Sequence, residues 1–221
     1  EAVAKHIFDE MTDFANYAFN KSHAAAYAVV CFQTAYLKYY HPVEFMAALI
    51  NSIAGSSEKV AYYIEYCRKN GIEIAPPDVN RSMEKFSVDI SSGKKKIRFG
   101  LNAVKNVGHG AIRSIIEERA KGGEYKDLYD FAERNAGHLV NKKAVESLIK
   151  AGAFDSVPGN RAQKMCVFEK AMDSASKKSS SILSGQISLF GEMSEIASPT
   201  PPLPPLQEFG RRQILSMEKE V

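Results

Sequence analysis

Leu101-Asn102-Ala103-Val104-Lys105-Asn106-Val107-Gly108-His109-Gly110-Ala111-Ile112 decides the fold of this chain. Apolar residues at helical spacing stand on both sides of a short break. The pattern predicts two short helices joined by a tight turn around Val107, Gly108 and Gly110, a helix-hairpin-helix. Glycine in that turn permits positive φ and close approach of another backbone. Asn106 also tolerates the left-handed region. The second helix opens with N–H groups that no residue of the helix can accept, and a phosphate is a natural partner for them. Such contacts hold a DNA backbone without reading sequence. Lys105, Val107, Gly108, His109 and Gly110 are thus the first candidate DNA-binding residues. A glycine-rich turn that only packs two helices is the competing reading.

Downstream, a weaker copy of the pattern follows. Asn141 is a cap for a helix over Lys142–Lys150, the turn runs from Gly152 to Asn160, and another helix starts near Arg161. Lys142, Lys143, Gly159 and Arg161 extend the candidate DNA surface, on the expectation that paired hairpins grip both strands of a duplex. The second turn, with Pro158-Gly159-Asn160, is longer than the first and also reads as a plain structural helix pair.

Upstream, the chain is helical. Val3, Ile7, Phe8, Met11, Phe14 and Ala18 recur at helix spacing. After Asn20-Lys21-Ser22-His23, Ser22 is a candidate N-cap for a long helix ending at Tyr40. Pro42 suits the first turn of the next helix. Gly55-Ser56-Ser57-Glu58 reads as turn and cap of a fourth, which Gly71 ends. The apolar period then changes. Phe86-Ser87-Val88-Asp89-Ile90 and Lys96-Ile97-Arg98-Phe99 alternate around Ser91-Ser92-Gly93-Lys94, a β-hairpin signature. The expected fold is mainly α: a helical segment with a small hairpin, a tandem helix-hairpin-helix region, and a flexible tail.

Of the 221 residues, 45% are hydrophobic and 25% charged, ordinary values for a globular protein. No apolar run reaches the length needed to span a bilayer, so no membrane partner is expected. Three cysteines, Cys31, Cys67 and Cys166, lie far apart in apolar helical patterns, which predicts buried, reduced thiols and a cytoplasmic location. Net charge of +3 says little about polyanions by itself. Lys94-Lys95-Lys96-Ile97-Arg98, Lys142-Lys143 and Arg211-Arg212 concentrate it, although each also reads as a solvated face. Glu1 at the start, and a helix-like stretch running to Val221, are what an excised piece of a longer protein would show.

The tail carries one apolar island, Gln186-Ile187-Ser188-Leu189-Phe190, between Ser174–Ser181 and Ser198–Pro205. Flanks so rich in Ser and Pro bury too little apolar surface to offset ordering entropy. Gln followed, after two intervening residues, by Leu-Phe resembles the peptide with which bacterial DNA polymerases dock on the sliding clamp. Packing of Leu189 and Phe190 on their own domain is the alternative.

Five stretches, taken in order, resemble the bacterial replicative DNA polymerase III α subunit, a C-family polymerase. They are Phe19–Ala28, His41–Ala48, Pro76–Asn80, Phe99–Gly108 and Leu148–Asp155. Asn102 and Asn106 stand where that family often has glycine. The resemblance implies the C-terminal part of the fingers over 1–100 and a tandem helix-hairpin-helix DNA-binding region over 101–175. It further implies a linker over 176–206 holding the clamp peptide 186–190, and the start of a following element over 207–221. It also implies that Asn20, Lys21, Ser22 and His23 face the incoming deoxynucleotide. Their chemistry agrees, since a lysine and a histidine at a helix N-terminus attract phosphate; an ordinary capped helix with an extended lysine is the simpler reading.

The implied partners are double-stranded DNA, the nucleotide, the sliding clamp and other replisome subunits. No Asp-x-Asp pair suited to two-metal nucleotidyl transfer occurs here. Magnesium is therefore expected in the parent polymerase and no cofactor or catalytic residue in this piece, which is expected to be inactive alone. Two rivals remain at this point: a stand-alone helix-hairpin-helix module of a repair protein, and a purely structural helical adaptor. The first leaves Phe19–Ala28 and the Gln186 island unexplained.

Overall fold

Pro42 and Met46-Ala47 begin the ordered packing. In the computed structural model, which describes residues 1–16, 21–91, 93–137, 139–183 and 201–221, helices α1 (Ala2–Asn16) and α2 (Lys21–Tyr40) precede this point. The apolar stripe of α1 does not form a core: Val3, Phe8, Met11 and Phe14 are exposed. Helix α2 likewise buries no residue. Ser22 lies inside its first turn and is not its cap.

Helix α3 (Pro42–Ser52) has His41 as N-cap and Pro42 at the first position, where a missing N–H costs nothing. It buries Met46, Ala47 and Ile50. Helix α4 (Ser57–Lys69) is capped by Ser56, whose hydroxyl accepts from Lys59 N, and Gly71 follows its end with φ 72. These helices close on a three-stranded sheet of β1 (Ile74–Ala75), β2 (Ser87–Asp89) and β3 (Lys96–Arg98). The hairpin β2–β3 is antiparallel, with Val88 opposite Ile97. The chain also adds β1 parallel to β3, with Ile74 opposite Ile97, a pairing that local alternation cannot reveal. Asn51 extends the sheet edge with both amide atoms. Its Nδ2 donates to Phe86 O (2.7 Å), and its Oδ1 accepts from Phe86 N (2.9 Å).

Arg98 is the polar anchor of this layer. Its Nε donates to Asp89 Oδ2 (2.9 Å) and its Nη1 to Pro76 O (3.1 Å). Burial would push the Asp89 carboxyl up, but hydrogen bonds from Ser91 and Arg98 outweigh it and hold the group well below the usual carboxylate range.

A second core joins α5 (His109–Gly122), α6 (Leu128–Arg134), α7 (Lys142–Lys150) and α8 (Arg161–Leu183) around Ile112, Ile115, Phe131, Leu148 and Phe154. Pro76–Asn80 stitches it to the sheet. Val79 is fully buried in the helical core and its N–H donates to Ala153 O (2.9 Å). Asn80 exchanges two hydrogen bonds with the Tyr125 backbone (2.9 and 2.7 Å). Helix α8 continues through Ser174–Ser181 to Leu183, past Ala175 where sequence pattern ends it. Adding a residue to a formed helix costs far less than starting one, and no Gly or Pro interrupts this run. A last helix, α9 (Arg211–Glu220), packs on α7. The fold is mainly helical with one small sheet. Among the described residues no helix is long and apolar enough to cross a membrane.

Candidate nucleic-acid interface

The first turn is built around Asn106. The strand end at Gly100 leads into a single 3₁₀ turn, Leu101–Ala103, where a short α-helix is expected from the pattern. The chain reverses at Asn106, whose φ is 65, and its Nδ2 donates to Ser147 Oγ (3.1 Å). The left-handed residue is therefore the asparagine. Gly108 has φ −73 and caps α5 in an extended conformation, so the positive φ expected of the turn glycines is not there. Gly108 contributes space instead: a Cβ there would meet nothing within 4 Å.

No side chain caps α5. Its internal ladder starts with Ile112 N donating to Gly108 O (3.0 Å), which leaves the amides of His109, Gly110 and Ala111 ahead of the ladder. Val107 is buried and anchors the turn in the helical core. His109 is largely exposed, with Nδ1 2.7 Å from Glu84 Oε1. Lys105 folds toward the C-terminal residues: its N–H donates to Val221 O (2.9 Å) and its Nζ to Glu220 O (3.0 Å). Gly110 lies under the exposed side chain of Leu139. The result is an uncapped helix N-terminus beside a bare glycine, the geometry that accepts an anion.

The second turn is different. Asn141 caps α7 as expected, with Oδ1 accepting from Ala144 N (2.8 Å). Gly152 and Gly159 have φ 81 and 91. Lys164 is fully buried and ties the turn together, donating to Phe154 O and Val157 O (2.6 and 2.9 Å); burial pushes its ammonium pKa down. Asn160 and Gln163 form a capping box: Asn160 Oδ1 accepts from Gln163 N (2.8 Å), and Gln163 Oε1 from Asn160 N (2.9 Å).

The candidate cations here are engaged. Lys142 Nζ lies 2.7 Å from Asp173 Oδ1, and Lys143 Nζ 2.9 Å from Glu146 Oε2. Arg161 is 7% exposed and pairs with Asp155 (2.6 Å) and Glu218 (2.9 Å). A Cβ on Gly159 would run into Leu203. The structure thus separates two sets of candidates. His109 and the amides beside Gly108 form one accessible group, whereas Gly159 and Arg161 lie under residues 203–218.

Lys21 and His23 stand exposed in the first turn of α2, and the His23 ring lies 4.5 Å from that of Tyr27. Asn20 and the island Gln186–Phe190 lie outside the described residues. Among the described residues no group of three or more His, Cys, Asp or Glu side chains is placed to hold a metal ion. Sequence reading missed the Asn160–Gln163 box, although the N-x-x-Q spacing was legible. It also missed Glu84 and Glu208, which no local pattern marks.

Comparison with known proteins agrees with this geometry. A family model described as a helix-hairpin-helix motif matches residues 71–164. The DNA polymerase III subunit alpha of Thermus aquaticus is 46% identical over 220 residues, covering 100% of this chain and 17% of the relative. That of Deinococcus radiodurans is 42% identical over 223 residues, again across the full chain. That of Vibrio cholerae is 41% identical over 193 residues, covering 87% of this chain and 16% of the relative. The chain spans about a sixth of the length of these curated relatives. Along its whole length the chain is homologous to one segment of DNA polymerase III subunit alpha, and it carries a helix-hairpin-helix motif.

Proposed function

We propose that the chain is the part of a bacterial replicative DNA polymerase that holds duplex DNA by its backbone, helps position template and nucleotide, and tethers the enzyme to the sliding clamp. The observation that carries the DNA half is the open N-terminus of α5 beside Gly108. Three amides and an exposed imidazole can meet one phosphate there, and such charge-assisted contacts fix register without reading bases. Gly108 offers a clean test, because φ −73 and open space leave room for any residue. Gly108→Leu keeps the fold and covers the amides. Losing a charge-assisted hydrogen bond costs about 1.5–3 kcal/mol, so duplex affinity falls about tenfold or more. Unchanged affinity at every salt concentration reduces the turn to a packing device.

Lys21 and His23 support the nucleotide half: both are exposed at the start of α2. In the intact polymerase, Lys21→Ala raises the Michaelis constant for nucleotide or lowers turnover, with folding intact. Unaltered kinetics would make it a surface lysine. Nucleotidyl transfer itself needs the magnesium-binding carboxylates of the parent enzyme. In this reading those carboxylates belong to the rest of the parent enzyme, and the chain alone is inactive.

The clamp half rests on Gln186-Ile187-Ser188-Leu189-Phe190 and on its Ser- and Pro-rich flanks. Leu189 and Phe190 each offer about 1.5–3 kcal/mol on full burial. Ordering costs leave the peptide with a dissociation constant on the order of micromolar. Simultaneous grip on DNA raises its effective concentration. Titration of clamp with the chain and with a Leu189→Ala, Phe190→Ala variant decides this. Equal affinities would reject the tether. A cytoplasmic location beside other replisome subunits completes the proposal, in keeping with three free thiols, of which only Cys67 is buried as expected while Cys31 and Cys166 are exposed.

A further inference from the structure

The N-terminus of α8, which the duplex reading would use as a second phosphate site, is already filled from within the chain. Glu208 Oε2 accepts from Arg161 N (2.9 Å) and Glu208 Oε1 from Ala162 N (3.2 Å). Asn160 Oδ1 takes Gln163 N (2.8 Å), and Asn160 O takes Lys164 N (3.1 Å). Every amide of the first turn of α8 therefore has an acceptor, whereas the first turn of α5 has no side-chain cap at all.

Glu208 is held there by its neighbours. Gln163 Nε2 donates to Pro204 O and Asn160 Nδ2 to Leu206 O (2.8 and 2.9 Å), while Leu203 covers Gly159. Helix α9 then brings Glu218 to Arg161 (2.9 Å) and Glu220 to Lys150 (2.7 Å). Burial would raise the Glu208 pKa, but the amides of Arg161, Phe209 and Ala162 together with the Arg161 charge outweigh it and lower it, so the group is a carboxylate at neutral pH.

We propose that the second hairpin is a docking site for the chain's own segment 201–221, in which Glu208 takes the place of a DNA phosphate, so that duplex is gripped through the first hairpin alone. The charge arithmetic agrees. Arg161 and Lys150 face Asp155, Glu218, Glu146 and Glu220 at salt-bridge distance, so the positive charge of these two side chains is already matched from within the chain. A phosphate would have to displace a tethered carboxylate whose effective concentration is high, together with the hydrogen bonds around it.

This inference rests on the duplex reading above, and its test separates the two. In Glu208→Ala, amide exchange at Arg161 and Ala162 accelerates about tenfold or more. Duplex affinity stays within about twofold of the parent, with the same salt dependence. Tighter duplex binding by the variant, with a log–log salt slope steeper by about one phosphate, overturns the proposal, because the α8 terminus would then be a guarded DNA site. If the variant does not fold, the unaltered chain serves. Saturating duplex leaves exchange at Arg161, Ala162 and 211–220 as it was, and acceleration along 211–220 overturns the proposal. Absence of duplex binding by both proteins at low salt sinks the duplex reading and, with it, the single-hairpin grip.

Discussion

Asn106 sets the geometry of the first turn and pays for a left-handed backbone with a side chain that bonds Ser147. Alanine loses about 1–2 kcal/mol there, because it lacks the short polar side chain that lets asparagine adopt this region, and the lost hydrogen bond adds about 0.5–1.5 kcal/mol. Asn106→Ala is therefore expected to cost about 2 kcal/mol in urea unfolding. Asn106→Gly loses the hydrogen bond and some unfolded-state restriction but not the conformation, and costs about 1 kcal/mol. The reverse order would show that φ is not the constraint. Gly100 obeys the opposite logic. Its φ of −76 suits any residue, yet a Cβ would lie 2.5 Å from Lys85 C and 2.7 Å from Phe86 N. Backbone cannot yield as a side chain can, so Gly100→Ala should cost about 1–3 kcal/mol, read from the denaturant midpoint.

At the level of elements, helix ends are the most local feature. Asn141 caps α7 and Asp127 caps α6 through short side-chain bonds to the first amides, and Ser56 caps α4 through a longer one (3.5 Å). Asn141→Ala should lower stability by about 1 kcal/mol, with the duplex affinity of the first hairpin unchanged. Helix α1 is the contrasting case. Its stripe has the period of a core helix, but Val3, Phe8, Met11 and Phe14 are exposed. Removing residues 1–16 should leave the unfolding free energy of the remainder within about 0.5 kcal/mol. A larger loss would mean that α1 packs on this chain in solution. The stripe is apolar surface in need of a cover.

For the whole molecule, the two cores are joined by Pro76–Asn80, and each holds paired carboxylates. Asp89, Glu146 and Glu208 all have carboxyl pKa values held below the ordinary range. Each binds a proton more weakly folded than unfolded. Each therefore contributes stability that is fully present above the unfolded pKa, near 4, and is lost as pH falls through the lower folded value. The urea midpoint should be level from neutrality to about pH 5 and fall below about pH 4. Glu208→Gln should make that fall shallower. An unchanged acid slope in this variant would mean that the α8 terminus does not hold the carboxylate.

The sequence by itself determined the elements whose causes are local. These include the α3, α4 and α7 boundaries through Pro42, Ser56 and Asn141, and the β2–β3 hairpin through alternation; a tight turn before α5 was legible too, but its left-handed residue is Asn106 and not one of the glycines expected. It also placed a helix start with orphan amides near Gly108, because these follow from the chain's own periodicity. Tertiary structure alone decided that β1 joins β3 in parallel, that α1 and α2 leave their apolar residues exposed, and that Arg161 and Gly159 are covered. It also decided that the two hairpins differ. The turn sequences around Gly108 and Gly159 each offer a helix N-terminus, but Glu208 lies 47 residues beyond Arg161, and only folding brings its carboxylate onto that helix. Contacts between residues so far apart depend on how the intervening helices pack, which no local pattern encodes.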